Sequence, residues 1–184
     1  GRTAGIIGFG SIGSHLAPLL VAIGMDVLVY DPFVADPRVE GVSFVGLDEL
    51  LRVADAVFPL APGSADTENL IGAAELAVMR RGAVLINVSR GELLDESAVA
   101  DAIRSGQLGG LGLDVGRAAD QRPSPELASL PGVVATPHLG GLTPENADAQ
   151  AASSVEQVDA IVAGVIPPRS LNAEHATRLQ ALWD

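Results

Sequence analysis

The chain has 184 residues, enough for one substantial hydrophobic core, and 48 % of them are apolar. Its net charge of -12 argues against a broad binding surface for nucleic acid or an anionic membrane. There is no cysteine, which excludes thiolate metal sites, and we predict no metal. All eleven basic side chains are arginine, so the usual phosphate-loop NTPases, Schiff-base aldolases and pyridoxal-phosphate enzymes are excluded as well.

Short apolar runs alternate along the chain with longer helical patterns, which indicates βαβ units and a parallel sheet. In chain order, the predicted strands are Ala4–Gly8, Asp26–Tyr30, Ala56–Leu60, Ala83–Val88, Leu111–Val115 and Val133–Thr136. The predicted helices are Ile12–Ile23, Leu47–Ala54, Thr67–Arg80, Asp95–Ser105 and Pro144–Ala163, and the polar stretch Gly116–Pro125 is predicted to be a loop. Most strands are nearly continuous in Val, Ile and Leu, as in strands covered on both faces. The pattern predicts an α/β doubly wound parallel sheet of the Rossmann type.

A glycine pattern, G-x-G-x-x-G, stands where the first predicted strand meets the first helix, at Gly8, Gly10 and Gly13. The first glycine allows a tight turn, the second lets backbone approach a pyrophosphate, and the third lets the helix pack close to the strand. The start of the helix then offers free N–H groups to phosphates. With 21 glycines in the chain, the pattern alone could also be a glycine-rich turn.

Asp31 follows the second predicted strand and lies 18 residues after Gly13. This is close to the spacing of a carboxylate that binds the adenosine ribose. A carboxylate there accepts hydrogen bonds from the ribose hydroxyls and repels a 2′-phosphate. We therefore predict NAD as the cofactor, rather than NADP, although Asp31 could also be a turn residue before Pro32.

Four stretches, of which the glycine loop is the first, occur in order, and together they resemble the signatures of a known family. They are Gly5-Ile6-Ile7-Gly8-Phe9-Gly10-Ser11-Ile12-Gly13, Asn87-Val88-Ser89-Arg90-Gly91, Leu113-Asp114-Val115 and Thr136-Pro137-His138-Leu139-Gly140-Gly141. The chain resembles the NAD-binding domain of D-isomer-specific 2-hydroxyacid dehydrogenases, a group that includes phosphoglycerate, glycerate and lactate dehydrogenases. The resemblance covers nearly the whole chain.

The resemblance implies catalytic roles for two residues. Arg90 would bind the substrate carboxylate and keto oxygen, because a guanidinium is always charged and its fork matches a carboxylate. His138 would give a proton to the keto oxygen as a hydride reaches the carbon. The resemblance also implies further contacts with the cofactor, which are Phe9, Ser11, Ile12, Pro62, Thr67, Val88, Ser89, Arg90, Asp114, His138, Gly140 and Gly141.

One departure from the family pattern concerns the carboxylate that holds the catalytic histidine. The family usually has a glutamate five residues after the aspartate of Leu-Asp-Val, and that position is Ala119 here. Either the loop shifts and Asp120 substitutes for the glutamate, or the acid–base pair is incomplete. A second departure is Leu60, where the family often has a histidine.

The family builds its substrate domain from sequence on both sides of the cofactor domain. We therefore expect residues 1–172 to form the NAD-binding domain, residues 173–184 to be a tail returning toward a substrate domain, and the amino-terminal part of that domain to be absent from this chain. The implied protein is a cytoplasmic, homodimeric oxidoreductase that acts on a small 2-hydroxy or 2-keto acid. The alternatives are a non-catalytic NAD sensor resembling a corepressor, which Ala119 favours, and an alanine-dehydrogenase-like domain, which the later motifs oppose.

Overall fold

The computed structural model describes residues 1–34, 39–168, 170 and 183. In these ranges seven strands form one sheet in the order β3-β2-β1-β4-β5-β6-β7, and every neighbouring pair is parallel. The strands are β1 (Thr3–Ile7), β2 (Asp26–Tyr30), β3 (Val42–Phe44), β4 (Ala56–Pro59), β5 (Ala83–Asn87), β6 (Leu108–Leu113) and β7 (Val133–Ala135). The order reverses next to β1, as expected for the predicted doubly wound fold.

Six helices accompany the strands in the described residues. They are α1 (Ser11–Ala22), α2 (Leu47–Val53), α3 (Ala73–Val78), α4 (Glu96–Arg104), α5 (Pro125–Ala128) and α6 (Pro144–Val162). The chain divides into two units, Gly1–Leu139 and Gly140–Asp184. The sheet and α1 to α5 belong to the first unit, and α6 belongs to the second. No helix in the described ranges is long and apolar enough to cross a membrane.

The core of the first unit lies on both faces of the sheet, because alternate residues of a strand point to opposite faces. Ile6 packs in a cluster with Ala17 and Leu20 of α1, whereas Ile7 packs in a larger cluster with Leu50 and Leu51 of α2. This arrangement explains why the strands are apolar on both sides.

The six predicted strands are confirmed to within three residues at their ends, but the sequence missed β3 and α5. The predicted helix Thr67–Arg80 is wrong in its first half, because regular helix begins only at Ala73. Asn69 has a φ of 53°, and Ile71 forms a parallel bridge with Leu94. Gly72 then caps α3, and its N–H donates to the Glu75 carboxylate at 3.1 Å.

The predicted boundary at residue 172 and most of the predicted tail lie outside the described residues. Trp183 is described, and its indole N–H donates to the carbonyl oxygen of Ile161 at 2.8 Å. The rest of the predicted domain organisation stays a prediction.

Candidate functional site

The glycine loop joins β1 to α1 at the carboxyl edge of the sheet. Gly8 has a φ of 100°, and its N–H donates to the Tyr30 carbonyl oxygen at 2.8 Å. A Cβ at Gly13 would overlap the carbonyl oxygen of Gly8, so only glycine lets α1 approach the strand here. A Cβ at Gly10 would meet no atom within 4 Å, and the space beside this residue is therefore open.

The start of α1 fits a phosphate group. Gly10 is the N-cap residue and supplies no side-chain hydrogen bond, and the first turn carries no acidic residue. The first N–H groups of a helix lack intrahelical acceptors, and the helix dipole is positive at this end. An open glycine beside an uncapped helix start is the arrangement that a dinucleotide pyrophosphate requires.

Asp31 connects the end of β2 to the glycine loop. Its Oδ2 accepts the Phe9 N–H at 2.7 Å, and its Oδ1 accepts the Phe33 N–H at 2.9 Å. The residue is half-buried and lies in the wall of a cavity of about 300 Å³, which Gly8, Pro62 and Thr67 also line. The cavity therefore brings together Asp31 and both residues that the sequence predicted at the adenosine side of the cofactor.

The Arg90 turn is held by a side chain that the sequence analysis did not single out. Asn87 is fully buried at the end of β5; its Nδ2 donates to the Arg90 carbonyl oxygen at 2.7 Å, and its Oδ1 accepts the Ser89 N–H at 3.1 Å. The Ser89 hydroxyl donates to the Ala61 carbonyl oxygen at 2.9 Å. Asn87 therefore sets the backbone from which the Arg90 side chain extends. Its position as a polar residue at the end of an apolar strand was the available signal.

A second cavity connects the glycine loop with the Arg90 turn. Its volume is about 390 Å³, and it is lined on one side by Gly10, Ser11 and Ile12 and on the other by Ser89 and Arg90. The Arg90 side chain is exposed, and its Nη1 donates to the Ser89 carbonyl oxygen at 2.7 Å. The predicted pyrophosphate contacts and the predicted substrate arginine thus share one cavity. The predicted contact Val88 is 47 % exposed.

The His138 turn is held by Asp114, which is buried at the end of β6. Asp114 Oδ1 accepts the Thr136 hydroxyl at 2.5 Å and the Leu139 N–H at 2.8 Å. His138 has a φ of 59°, which is uncommon outside glycine, and its N–H donates to the Thr136 carbonyl oxygen at 3.0 Å. Asp114 thus contacts the residues on either side of Pro137 and His138 and holds the turn that carries the imidazole.

In the loop after β6, Asp120 is exposed to solvent whereas the neighbouring Gln121 is half-buried. The Asp120 carboxylate is exposed, accepts the Arg122 N–H at 3.2 Å and lies 3.5 Å from the Arg122 Nε. Gln121 is half-buried, and its Nε2 donates to Glu92 Oε1 at 3.3 Å. No contact found within the described ranges joins Asp120 to His138. The predicted role of Asp120 therefore stays a prediction.

Hydrogen bonds, and to a smaller extent two nearby arginines, lower the pKa of Glu92. The largest cause is a hydrogen bond from its own backbone N–H, followed by the hydrogen bond from the Gln121 side chain and the positive charges of Arg117 and Arg90. Arg117 lies in the loop after β6 and connects this loop to two other segments. Its guanidinium donates to the Leu94 carbonyl oxygen at 2.9 Å and forms an ion pair with Glu68. None of these contacts was predicted from the sequence, because they join segments far apart in the chain.

Gly140 and Gly141, the last predicted cofactor contacts, belong to the second unit. The Gly141 carbonyl oxygen accepts the Asn146 Nδ2 at 2.5 Å, close to the Thr143 cap of α6. Their predicted contact with a cofactor stays a prediction. Within the described residues, no group of three or more His, Cys, Asp or Glu side chains could hold a metal ion.

Comparison with known proteins identifies the family. Residues 1–140 match the model of the D-isomer specific 2-hydroxyacid dehydrogenase, NAD binding domain. The chain is 38 % identical over 176 residues to a D-3-phosphoglycerate dehydrogenase of Mycobacterium leprae, which covers 95 % of this chain and 33 % of that protein. It is 38 % identical over 166 residues to a glycerate dehydrogenase of Methylorubrum extorquens, covering 89 % of this chain and 51 % of that protein.

The solved structures agree with this match. A D-lactate dehydrogenase with NAD+ from Lactobacillus jensenii superposes with a TM-score of 0.81 at 32 % identity, covering 91 % of this chain and 54 % of that one. The chain spans between a third and about half of the length of the relatives it matches. These relatives are named for enzymes, which gives no support to the non-catalytic sensor. The predicted fold, family and cofactor are confirmed: this chain belongs to the D-isomer specific 2-hydroxyacid dehydrogenases, and its residues 1–140 are their NAD-binding domain.

Proposed function

We propose that this chain is the cofactor-binding part of an oxidoreductase that transfers a hydride between NAD(H) and a small D-2-hydroxy acid or 2-keto acid. The observation that carries the proposal is the shared cavity of about 390 Å³, in which the glycine loop faces Arg90. A cofactor held at the start of α1 and a carboxylate held by Arg90 would meet in this space.

In the proposed reduction, Arg90 binds the substrate carboxylate with two parallel hydrogen bonds. Bound NADH supplies the hydride that reaches the keto carbon. As the carbon–oxygen double bond becomes a single bond, the keto oxygen takes a proton from the His138 imidazole. Asp114 and Asn87 support these steps by holding the turns that carry the two side chains.

The proposed role of Asp120 is to stabilise the protonated His138. Its carboxylate already pairs with Arg122 in the described contacts. A carboxylate beside an imidazole favours the charged ring by charge pairing. The proposal requires the loop to bring Asp120 toward His138 when substrate binds.

The proposed cofactor contacts divide along the sheet edge. Asp31, Pro62 and Thr67 line the cavity for the adenosine side. The remaining proposed contacts, from the pyrophosphate to the nicotinamide, are Gly8, Phe9, Gly10, Ser11, Ile12, Gly13, Val88, Ser89, Arg90, Asp114, His138, Gly140 and Gly141.

Family resemblance supports two further proposals, a homodimer formed through the cofactor domain and a location in the cytoplasm. Sedimentation of the natural protein at several concentrations tests the first, and a species of constant monomer mass would contradict it. Cell fractionation tests the second.

Oxidation of paired enantiomers tests the proposed function. The natural protein carrying this chain should reduce NAD+ with the D enantiomer of lactate or glycerate and should leave the L enantiomer untouched. NADH formation is followed by its absorbance. Equal rates with both enantiomers, or no turnover of any 2-hydroxy acid or 2-keto acid while NADH still binds, would contradict the proposal.

A further inference from the structure

A third cavity also borders Arg90. Its volume is about 470 Å³, and its lining residues are Gly63, Ser64, Ala65, Glu68, Arg90, Glu92 and Gln121. Neither Glu92 nor Gln121 belongs to the family motifs that identified the site. Because the cavity borders Arg90, a group attached to the Arg90-bound acid can extend into it.

Two side chains of the cavity lining each have a buried oxygen atom without a hydrogen-bond donor. These atoms are Glu92 Oε2 and Gln121 Oε1, and neither has a partner among the residues that the structure describes. The other ends of the two side chains are joined, since Gln121 Nε2 donates to Glu92 Oε1 at 3.3 Å. A buried hydrogen-bond acceptor without a donor lowers the stability of the fold. These two oxygen atoms therefore favour a ligand that brings a hydrogen-bond donor.

The charges of the lining disfavour a second anion. Arg90 is the single cation of the lining, and in the proposed function the substrate carboxylate uses its charge. Of the two acids, Glu68 forms an ion pair with Arg117. The Glu92 carboxylate accepts a hydrogen bond from the neutral Gln121 amide, and Arg117 and Arg90 act on it only as nearby charges. A phosphate or a second carboxylate in this cavity would therefore meet the negative charge of Glu92.

Backbone hydrogen bonds hold Gln121 in place at the cavity. The Gln121 N–H donates to the Ala118 carbonyl oxygen at 2.8 Å, and the Gln121 carbonyl oxygen accepts the Gly116 N–H at 2.8 Å. A Cβ at Gly63 would lie 3.2 Å from Arg90 Cγ and 3.6 Å from Glu92 Oε2, so Arg90 and Glu92 border the same narrow space.

We propose that Glu92 and Gln121 are specificity-determining residues, which select a 2-keto acid with a hydroxyl group on the carbon next to the keto group over one with a phosphate there. The hydroxyl donates a hydrogen bond to a side-chain oxygen of Glu92 or Gln121, while the carboxylate of the same molecule binds Arg90. This inference rests on the proposed function and names its substrate class.

Three substrates test the proposal in the natural protein carrying this chain, with NADH oxidation as the readout. Hydroxypyruvate carries the hydroxyl, 2-oxobutanoate has a methyl group in its place, and 3-phosphohydroxypyruvate carries a phosphate. We expect kcat/KM for hydroxypyruvate to exceed that for each of the other two by at least about 10-fold. Equal or faster reduction of the phosphorylated acid would overturn the proposal.

Variants assign the preference to the two side chains. Gln121→Leu should reduce the preference for hydroxypyruvate over 2-oxobutanoate several-fold, and Glu92→Gln should increase the relative rate with the phosphorylated acid. Glu126→Gln, which makes the same charge change at an exposed residue of α5, should change neither ratio. Each ratio is measured within one variant and is therefore independent of the fraction of protein that folds.

The outcomes separate the inference from the function on which it rests. If the natural protein reduces 2-keto acids but the variants leave both ratios unchanged, the specificity proposal is wrong and the proposed function stands. If no 2-keto acid is reduced although NADH binds, the proposed function fails and the inference fails with it.

Discussion

The glycine loop and the Arg90–His138 side of the sheet edge are held by different kinds of contact. At the glycine loop, backbone atoms touch backbone atoms, as where α1 approaches the Gly8 carbonyl oxygen. At Arg90 and His138, the buried side chains of Asn87 and Asp114 hold the turns. We therefore expect the first region to bind its ligand without rearrangement, whereas the role proposed for the second region depends on the orientation of its side chains.

This difference indicates where evolution can change the protein. The glycine loop tolerates few substitutions where its backbone is closely packed, because a Cβ at Gly13 would collide with the main chain of Gly8. The Arg90–His138 region has side chains at its border, and there Ala119 stands where the family usually has a glutamate. Cofactor binding should therefore be robust, and substrate choice should vary.

The largest expected effect comes from placing side chains on the glycine loop. Gly13→Val should abolish NADH binding and lower the unfolding temperature, because its side chain would push α1 away from Gly8. Gly10→Ala should fold like the parent, since its Cβ would meet no protein atom, yet it should weaken NADH binding by about 10-fold or more through contact with the pyrophosphate.

Fluorescence titration with NADH and thermal unfolding measure the two effects separately. Normal NADH binding by Gly10→Ala would show that the cofactor does not approach this residue, and the pyrophosphate assignment would then be lost.

Substitution of Arg90 should affect catalysis while leaving cofactor binding nearly intact. In the natural protein, Arg90→Gln should lower kcat/KM for 2-keto acids by about 100-fold or more, which is about 3 kcal/mol of transition-state stabilisation. Arg90→Lys should recover only part of the loss, because an ammonium lacks the guanidinium fork. Steady-state kinetics and NADH titration measure the two properties. An Arg90→Gln enzyme that keeps its kcat/KM would remove Arg90 from the substrate site.

Asp31 is the exception at the glycine loop, because it holds the Phe9 N–H through its side chain. Two variants separate this structural contact from the proposed ribose contact. Asp31→Asn keeps an oxygen that can accept the Phe9 N–H but loses the charge, and we expect the preference for NADH over NADPH to fall by about 10-fold. Asp31→Ala also loses the hydrogen bonds and should weaken the binding of both cofactors. Titration with each cofactor measures this, and an unchanged preference in Asp31→Asn would refute the ribose assignment.

Asp120 and Ala119 test whether the catalytic region contains an acid–base pair. If Asp120 stabilises the protonated His138, Asp120→Asn should move the decline of keto-acid reduction to lower pH, because the reaction needs the protonated ring. The shift should be about one pH unit or less, since Asp120 is exposed and paired with Arg122. Ala119→Glu should extend activity to higher pH if the pair is incomplete. Profiles that neither substitution moves would exclude both forms of the pair.

The features that the sequence predicted correctly are those encoded by local pattern. Six strands were found because each is a continuous apolar run, and the glycine loop was found because its geometry depends on residues within a few positions of each other. The strand β3 has three residues and α5 has four, too few for either periodicity to appear. The start of α3 was misplaced because Leu70 and Ile71 continue the apolar pattern although Asn69 has left the helical region.

The contacts that the sequence did not predict join distant parts of the chain. Gln121 and Glu92 are 29 residues apart, and Arg117 reaches Glu68 across 49 residues. These contacts depend on the path of the loop after β6 toward the Arg90 turn. A local sequence pattern does not predict that path. Asn87 was within a recognised motif, but its role became visible only with the carbonyl oxygen that it binds.

The smallest expected effect concerns Asp95, which begins the helix after the Arg90 turn. Its carboxylate accepts the Ser97 hydroxyl and the N–H groups of Ser97 and Ala98, and the pKa of Asp95 is lowered, chiefly by the Ser97 side chain and then by the Ala98 N–H. A carboxyl group with a lowered pKa in the folded state stabilises the fold above its unfolded pKa of about 3.9, and this contribution is lost as the pH falls through the folded value. Asp95→Ala should therefore cost about 1 kcal/mol of unfolding free energy at pH 7, as expected for a lost helix cap. The cost should shrink below about pH 4, where the parent protein also loses the charged cap.

Urea unfolding of parent and variant at both pH values measures this difference, and Asp95→Asn is the control because asparagine caps helices about as well without a charge. A cost that stays the same at low pH would mean that the cap acts through its hydrogen bonds alone. The effect on catalysis discriminates further between the two regions of the site. If α4 supports the Arg90 turn, Asp95→Ala should raise KM for the keto acid while NADH binding, which depends on the backbone contacts at Gly8 and Gly13, stays unchanged.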